Sequence, residues 1–109
     1  MDKMKKITAE KLMEKISNRE NFKLVDVLLP SSYKKWHIPT AINIQLDEIE
    51  NKAPELLNPE DEIIVYCTST ECQSSTRAAS RLIELGFKDV TDYKGGKREW
   101  DEKGFPKEY

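Results

Sequence analysis

The most constraining feature of this chain is an apolar run that ends in a cysteine. Residues 62–66 read Glu-Ile-Ile-Val-Tyr, Cys67 follows, and a polar loop then leads into a helical pattern over residues 75–85. A short strand, a loop and an amphipathic helix in this order are typical of a βα unit. Ligands of open α/β sheets bind at the carboxyl ends of the strands. The pattern therefore places a thiol where a ligand site is expected.

The alternation of short strands and helices continues on both sides of this unit. Further strands are predicted at residues 23–27, 41–44 and 89–93, and further helices begin after Thr8, at residues 30–36, at residues 47–57 and around Trp100. The 47–57 helix is expected to be interrupted before Pro54, because proline lacks the N–H that a helix interior uses. Strands that alternate with helices indicate parallel βαβ units with right-handed crossovers. We therefore expect a three-layer α/β/α domain with a mainly parallel sheet.

Composition restricts the classes of function. A length of 109 residues, 38% of them hydrophobic, suits a single domain over residues 1–109 with its core at about 7–106. The formal net charge of −2 gives no electrostatic reason to expect nucleic acid or an anionic membrane as partner. No apolar run approaches the ~20 residues that span a bilayer, and the basic N-terminus lacks the apolar stretch of a signal peptide. We expect a cytoplasmic protein, and the sequence does not indicate its oligomeric state.

The chain contains two cysteines, Cys67 and Cys72. A disulfide between them would close a very short loop and stabilise little. With one histidine far upstream they do not make a zinc site, so we predict no metal and no other cofactor. A reactive or redox-active pair is the favoured interpretation. Cys72 is either a resolving thiol that forms a transient disulfide with Cys67 or a spare loop residue that packs inward, and both alternatives stay open.

The loop after Cys67 is the candidate binding loop. Backbone N–H groups in such a loop, together with the dipole of the following helix, stabilise an anion. We therefore expect the pKa of Cys67 to be lowered, so that its thiolate can attack. The same N–H groups would hold a bound oxyanion or persulfide. The loop residues are Thr68, Ser69, Thr70, Glu71, Cys72, Gln73 and Ser74.

Four short stretches, taken in order, form a specific pattern. They are Leu-Val-Asp-Val at residues 24–27, His-Ile-Pro-Thr-Ala-Ile-Asn-Ile at residues 37–44, Ile-Val-Tyr-Cys at residues 64–67, and Gly95-Gly96 followed by Trp100. With these spacings the chain resembles a rhodanese-like domain from about Ile7 to Pro106. The resemblance implies a doubly wound fold with five core strands, and it implies that Cys67 carries sulfur as the nucleophile.

Members of that family take sulfane sulfur from a donor such as thiosulfate or a persulfide. They hold it as a cysteine persulfide and pass it to a thiol or to cyanide. The resemblance therefore implies a small sulfur-containing donor or a protein persulfide as one partner of this chain, and a thiol acceptor as the other.

The loop departs from the family pattern Cys-x-x-Gly-x-Arg-Ser. The helical pair Ala78-Ala79 lies two positions further from Cys67, and the loop has no glycine. The place of the family arginine is Ser74 when counted back from the alanines, and Cys72 or Gln73 when counted forward. Arg77 is the nearest cation and a candidate anion contact. The missing arginine disfavours thiosulfate and favours a less charged donor.

Three functions follow from these residues. The leading one is a sulfurtransferase or persulfide carrier that uses Cys67. The second is a catalytically weak binding or redox-sensing module in which Cys67 and Cys72 form an oxidisable switch. The third is an arsenate reductase or phosphatase-like enzyme, which only the loop length favours, because such sites end the loop with an arginine where this chain has Gln73.

Polar residues elsewhere at this sheet edge are interpreted as structural. Asp26 ends a strand and is expected to bond loop backbone. His37 is expected to bond backbone through its ring and not to act as a general base. Trp36 and Trp100 are interpreted as core or rim aromatics, and the double glycine as a requirement of backbone conformation.

Overall fold

The structure is a computed structural model that describes residues 4–109. Its strands are β1 (Lys5–Lys6), β2 (Lys23–Asp26), β3 (Ile42–Asn43), β4 (Glu62–Tyr66) and β5 (Asp89–Tyr93). Its helices are α1 (Ala9–Ser17), α2 (Pro30–Lys35), α3 (Ile49–Leu56), α4 (Ser74–Glu84) and α5 (Gly96–Glu102), with a 3₁₀ turn (Leu46–Glu48) before α3. Strands and helices alternate along the chain as predicted.

The five strands form one sheet in the order β1-β5-β4-β2-β3, and every pair is parallel. The chain leaves β4 toward β5 on one side and leaves β2 toward β3 on the other. The order therefore reverses between β2 and β4, whose last residues, Asp26 and Tyr66, lie side by side in register. A crevice at such a reversal is the usual ligand site of an open α/β sheet. Cys67 follows Tyr66 directly and so lies at this point.

Both faces of the sheet are covered. Successive residues of β4 point to opposite faces, so that Ile63 and Val65 join one core while Ile64 and Tyr66 join the other. The first core includes Ile49 and Ala53 of α3 and Ala78, Ala79 and Leu82 of α4. The second includes Ala9 and Leu12 of α1 and Trp100 of α5. This confirms the three-layer, doubly wound α/β/α fold.

Local signals fix the ends of two helices. The Thr8 hydroxyl accepts a hydrogen bond from the Lys11 N–H at 3.1 Å, which caps α1. At the end of α4, the Gly86 N–H donates to Ile83 O at 3.0 Å and the Phe87 N–H donates to Leu82 O at 3.1 Å. Gly86 has a φ of +101°, which a residue with a side chain adopts at a cost.

Two details differ from the sequence predictions. The sequence analysis did not predict β1, because Lys5 and Lys6 are exposed and charged and so give no apolar alternation; both residues pair with β5. The predicted interruption before Pro54 is wrong, since α3 runs through it to Leu56. Pro54 is exposed, and the carbonyl that loses a helical partner belongs to Glu50, which is also exposed. Water can serve that carbonyl, so the proline costs less here than in a buried helix.

Candidate active site

The backbone on either side of Cys67 is held by the first turn of α5. Cys67 O accepts a hydrogen bond from the Lys97 N–H at 3.0 Å, and Thr68 O accepts one from the Arg98 N–H at 2.8 Å. Gly96 makes this approach possible. Its φ is +66°, and a Cβ there would lie 2.5 Å from Cys67 O. The double glycine is therefore explained by backbone geometry, as expected, and Gly96 is the position that requires a residue without a side chain.

The Cys67 sulfur lies in a closed environment. The residue is fully buried, and its Sγ lies 3.5 Å from Cys72 O, 3.6 Å from Ser75 Oγ and 3.9 Å from Ser69 O. The carbonyl oxygens suit a protonated thiol, which donates to them, and disfavour a thiolate. Burial above all, and the contact with Cys72, raise the pKa of Cys67, while the Ser75 hydroxyl and N–H act in the opposite direction.

The expectation that the loop lowers the pKa of Cys67 is therefore wrong for this resting structure. The physical reason is the path of the loop. It turns the carbonyl oxygens of Ser69 and Cys72 toward the Cys67 sulfur. The backbone N–H that opposes the rise in pKa is that of Ser75, in the first turn of α4.

Cys72 has the opposite environment. It is partly exposed, and its N–H donates to Ser69 O at 3.0 Å, which closes a tight turn. Partial burial raises the pKa of Cys72, but hydrogen bonds from the Cys67 thiol, the Ser74 N–H and hydroxyl and the Thr68 N–H outweigh it and lower that pKa to about 7. The donors that the sequence assigned to Cys67 thus converge on the other thiol.

Other predicted loop residues lie around this pair. Ser69 and Ser74 are half-buried. Glu71 is 3.9 Å from Arg98 of α5 across the rim. The exposed members of the loop are Thr68, Thr70, Glu71 and Gln73.

The cation that contacts the loop beside the two cysteines is a lysine. Lys94 Nζ donates to Cys72 O at 2.7 Å. Arg77, the cation named from the sequence, is exposed in the first turn of α4. Sequence reasoning missed Lys94, although a signal was present: Tyr66 and Tyr93 are paired in register, so the residues that follow β4 and β5 meet at one sheet edge.

Sequence reasoning also missed Ser75, which was assigned only to the helix. The residue is fully buried, and its hydroxyl contacts the Cys67 sulfur at 3.6 Å. Counted back from Ala78-Ala79, it occupies the place of the serine that ends the family loop. That count was the available signal.

A buried hydrogen-bond network lies beside the site. Tyr66 Oη donates to Asp26 Oδ2 at 2.8 Å and accepts from the Ile38 N–H at 3.1 Å. Asp26 Oδ1 accepts from the Leu28 N–H at 2.9 Å. The His37 Nδ1 lies 3.0 Å from Tyr33 O. The backbone contacts predicted for Asp26 and for the His37 ring are confirmed.

A groove opens beside the loop on the side of α5. It encloses about 330 Å³ and is lined by Ser32, Lys35, Trp36, Thr68, Lys97, Arg98 and Asp101. The Lys97 ammonium lies 4.6 Å from the centre of the Trp36 ring and donates to Ser32 O at 2.9 Å. Trp36 is thus a rim aromatic, whereas Trp100 is fully buried in the core.

Two classes of feature are not found among residues 4–109. The side chains of His, Cys, Asp and Glu form no group of three or more that is placed to hold a metal ion. None of the helices combines the length and the apolar character that crossing a bilayer requires.

Known proteins resemble this chain in sequence and in fold. The family model described as the rhodanese-like domain matches residues 8–103. The putative sulfur carrier protein YrkF of Bacillus subtilis is 36% identical over 86% of this chain, and the match spans 49%, about half, of the length of that relative. The putative sulfurtransferase YtwF of Bacillus subtilis is 32% identical over 95% of this chain and 97% of its own length. The crystal structure of the BH2092 protein from Bacillus halodurans superposes with a TM-score of 0.89 at 32% identity, covering 95% of this chain and 76% of the other.

Proposed function

Because this chain belongs to the rhodanese-like domain family, we propose that it is a sulfurtransferase that holds sulfane sulfur as a persulfide on Cys67. The position of the Cys67 sulfur carries the proposal. It lies at the carboxyl end of the central strand β4, 3.6 Å from the Ser75 hydroxyl in the first turn of α4. A helix N-terminus stabilises negative charge. A persulfide is more acidic than a thiol, so its anion forms more readily and is stabilised by that position.

The reaction is an exchange at sulfur. The Cys67 sulfur attacks the outer sulfur of a donor persulfide, R–S–SH, so that a new S–S bond forms while the donor bond breaks and R–S⁻ leaves with the electron pair. An acceptor thiolate then attacks the outer sulfur of the Cys67 persulfide and regenerates Cys67. Neither step needs an external oxidant or reductant.

The loop favours a donor of low charge. Lys94 is the cation beside Cys72, and its ammonium is already bonded to Cys72 O at 2.7 Å, while Arg98 at the rim is paired with Glu71. A planar guanidinium would bind a thiosulfate dianion in a bidentate way, which a lysine cannot do. Polysulfide or a protein persulfide therefore fits better than thiosulfate.

The test is intact-protein mass spectrometry followed by peptide mapping. Prolonged exposure to polysulfide is expected to add one sulfur, roughly 32 Da, to Cys67, and a reductant should remove it. Thiosulfate should load the same site more slowly. A Cys67→Ser variant serves as the control, because any sulfur it acquires must lie elsewhere. If Cys67 carries no sulfur from either donor at long times, the proposal fails.

A redox-sensing module is the second candidate, and one observation favours it. The Cys67 sulfur lies 3.5 Å from Cys72 O within one short loop, and each thiol shifts the pKa of the other. A product two hydrogens lighter, formed only when both cysteines are present and without any sulfur on Cys67, would select this function. An arsenate reductase or phosphatase-like enzyme has less support, because the cation beside the two thiols is a lysine, and Arg98 lies at the rim of the loop, where it is paired with Glu71.

A further inference from the structure

Access to the two thiols is unequal. Cys67 has no exposed surface, and its sulfur is surrounded by Ser69 O, Cys72 O and the Ser75 hydroxyl. A donor as bulky as a protein persulfide does not reach that sulfur unless the loop opens. Cys72 is partly exposed in the same loop, so it is the thiol that a donor meets first.

The groups around Cys72 suit a thiolate. The Thr68 and Ser74 N–H groups, the Ser74 hydroxyl and the Cys67 thiol all act on its sulfur as donors. The charged and titratable side chains near it are Cys67, Lys94 at Cys72 O, and Glu71, which lies 3.9 Å from Arg98. A thiolate is the attacking form in thiol–disulfide exchange. Cys72 is therefore both the more nucleophilic and the more exposed of the two thiols.

We propose that Cys72 is a catalytic residue that receives the sulfane sulfur from the donor and passes it to the buried Cys67. The inference rests on the proposed function, since it supplies the route by which Cys67 is loaded. It makes the loop a two-thiol relay, with an outer receiving thiol and an inner storage thiol.

Both steps balance. In the first, Cys72–S⁻ attacks the outer sulfur of R–S–SH, which gives Cys72–S–SH and R–S⁻. In the second, the Cys67 sulfur attacks the outer sulfur of Cys72–S–SH. The Cys72 S–S bond breaks, and the proton of Cys67 moves to the Cys72 sulfur. The products are Cys67–S–SH and Cys72–SH, with no net oxidation.

The experiment follows sulfur in time. Wild type, Cys72→Ser and Cys67→Ser are mixed with polysulfide, quenched by alkylation from milliseconds to minutes, and mapped by mass spectrometry. Wild type should show sulfur on Cys72 before Cys67. Cys67→Ser should gain one sulfur on Cys72 and keep it there, because no second thiol takes it over. Cys72→Ser should load Cys67 about tenfold slower or more, because a buried protonated thiol is a poor nucleophile.

A pH profile separates chemistry from structure. The loading rate of wild type should rise with a midpoint near the pKa of Cys72, about 7, and that of Cys72→Ser should rise at higher pH. Thermal unfolding of each variant checks that the fold is intact. The relay is overturned if Cys72→Ser loads Cys67 at the wild-type rate and with the wild-type pH profile. It is also overturned if wild type loses two hydrogens in place of gaining sulfur, which would make Cys72 a resolving thiol. In either case sulfur on Cys67 of Cys72→Ser leaves the proposed function standing.

Discussion

At the scale of single residues, Gly96 shows how one position without a side chain allows the site to form. Replacement of Gly96 by alanine places a Cβ 2.5 Å from Cys67 O and 2.7 Å from the Thr68 carbonyl carbon, at a φ of +66°. Since those atoms are backbone, α5 or the loop has to shift. We expect the Gly96→Ala variant to lose about 3 kcal/mol of unfolding free energy or more in urea titrations.

Gly104 provides the matched control for that prediction. It has a φ of +71°, but a Cβ there meets nothing within 4 Å. Gly104→Ala should therefore lose only the cost of a left-handed conformation, about 1 kcal/mol. Equal losses in the two variants would show that the contact of α5 with the Cys67 backbone is not what requires glycine.

The residues of the site were predictable from the sequence only in part. Cys67 follows from a strand, a loop and a helix in succession. The roles of the individual donors do not follow, because they depend on the path of the loop backbone, which turns carbonyl oxygens toward Cys67. Lys94 lies far from Cys67 in sequence and reaches the loop only through the pairing of β4 with β5.

At the scale of elements, the hydrogen-bonded pair Asp26–Tyr66 holds the segment after α2 against the central strands, because Tyr66 Oη accepts from the Ile38 N–H. Tyr66→Phe removes the donor of Asp26 Oδ2 and the acceptor of the Ile38 N–H, all of them buried. Leaving both groups unpaired should cost about 2–3 kcal/mol at pH 8. The control is Tyr33→Phe, which loses a hydroxyl that donates to Ala41 O at 2.6 Å in a half-buried place.

The cost of Tyr66→Phe should depend on pH. Burial raises the pKa of Asp26, although the hydrogen bonds from the Leu28 N–H and the Tyr66 hydroxyl act to lower it. A carboxyl with a raised folded pKa binds its proton more tightly in the folded state, so stability falls as pH rises from the unfolded pKa through the folded one. Loss of the Tyr66 donor raises the folded pKa further, and the loss in stability should grow from pH 4 to pH 8. For the control Tyr33→Phe we expect a loss that stays constant over this range. A constant loss for Tyr66→Phe would contradict this account.

Element boundaries were predicted well where burial shapes the sequence. The strand at Asp89–Tyr93 and the helix that begins at Ser74 lie where the pattern placed them, within one residue. β1 was missed because an edge strand of two exposed lysines carries no apolar alternation. The error at Pro54 has the opposite origin. Proline is a strong local signal for a helix break, but Pro54 is exposed, and α3 continues through it.

At the scale of the whole molecule, the sheet order brings the two active-site elements together. The reversal between β2 and β4 sends the following segments to opposite faces, with α4 packed on one core while Tyr33 and Trp36 pack on the other. The loop after β4 is therefore bounded by both layers, and α5 closes it through Gly96. A site built from both layers requires that the two cores unfold together.

That requirement gives the last prediction. Leu82 is fully buried in the core on the α4 face, and Trp100 is fully buried in the core on the other face. In a Trp36→Phe background, Leu82→Ala should lower stability by about 3 kcal/mol, and the urea midpoints of Trp100 fluorescence and far-UV circular dichroism should shift together, as in a two-state transition. Leu85→Ala, at an exposed position just after the same helix, should change stability by less than about 0.5 kcal/mol. If Trp100 fluorescence kept its midpoint while the dichroism shifted, the two cores would unfold separately, and the loop would lose its α4 support before its α5 support.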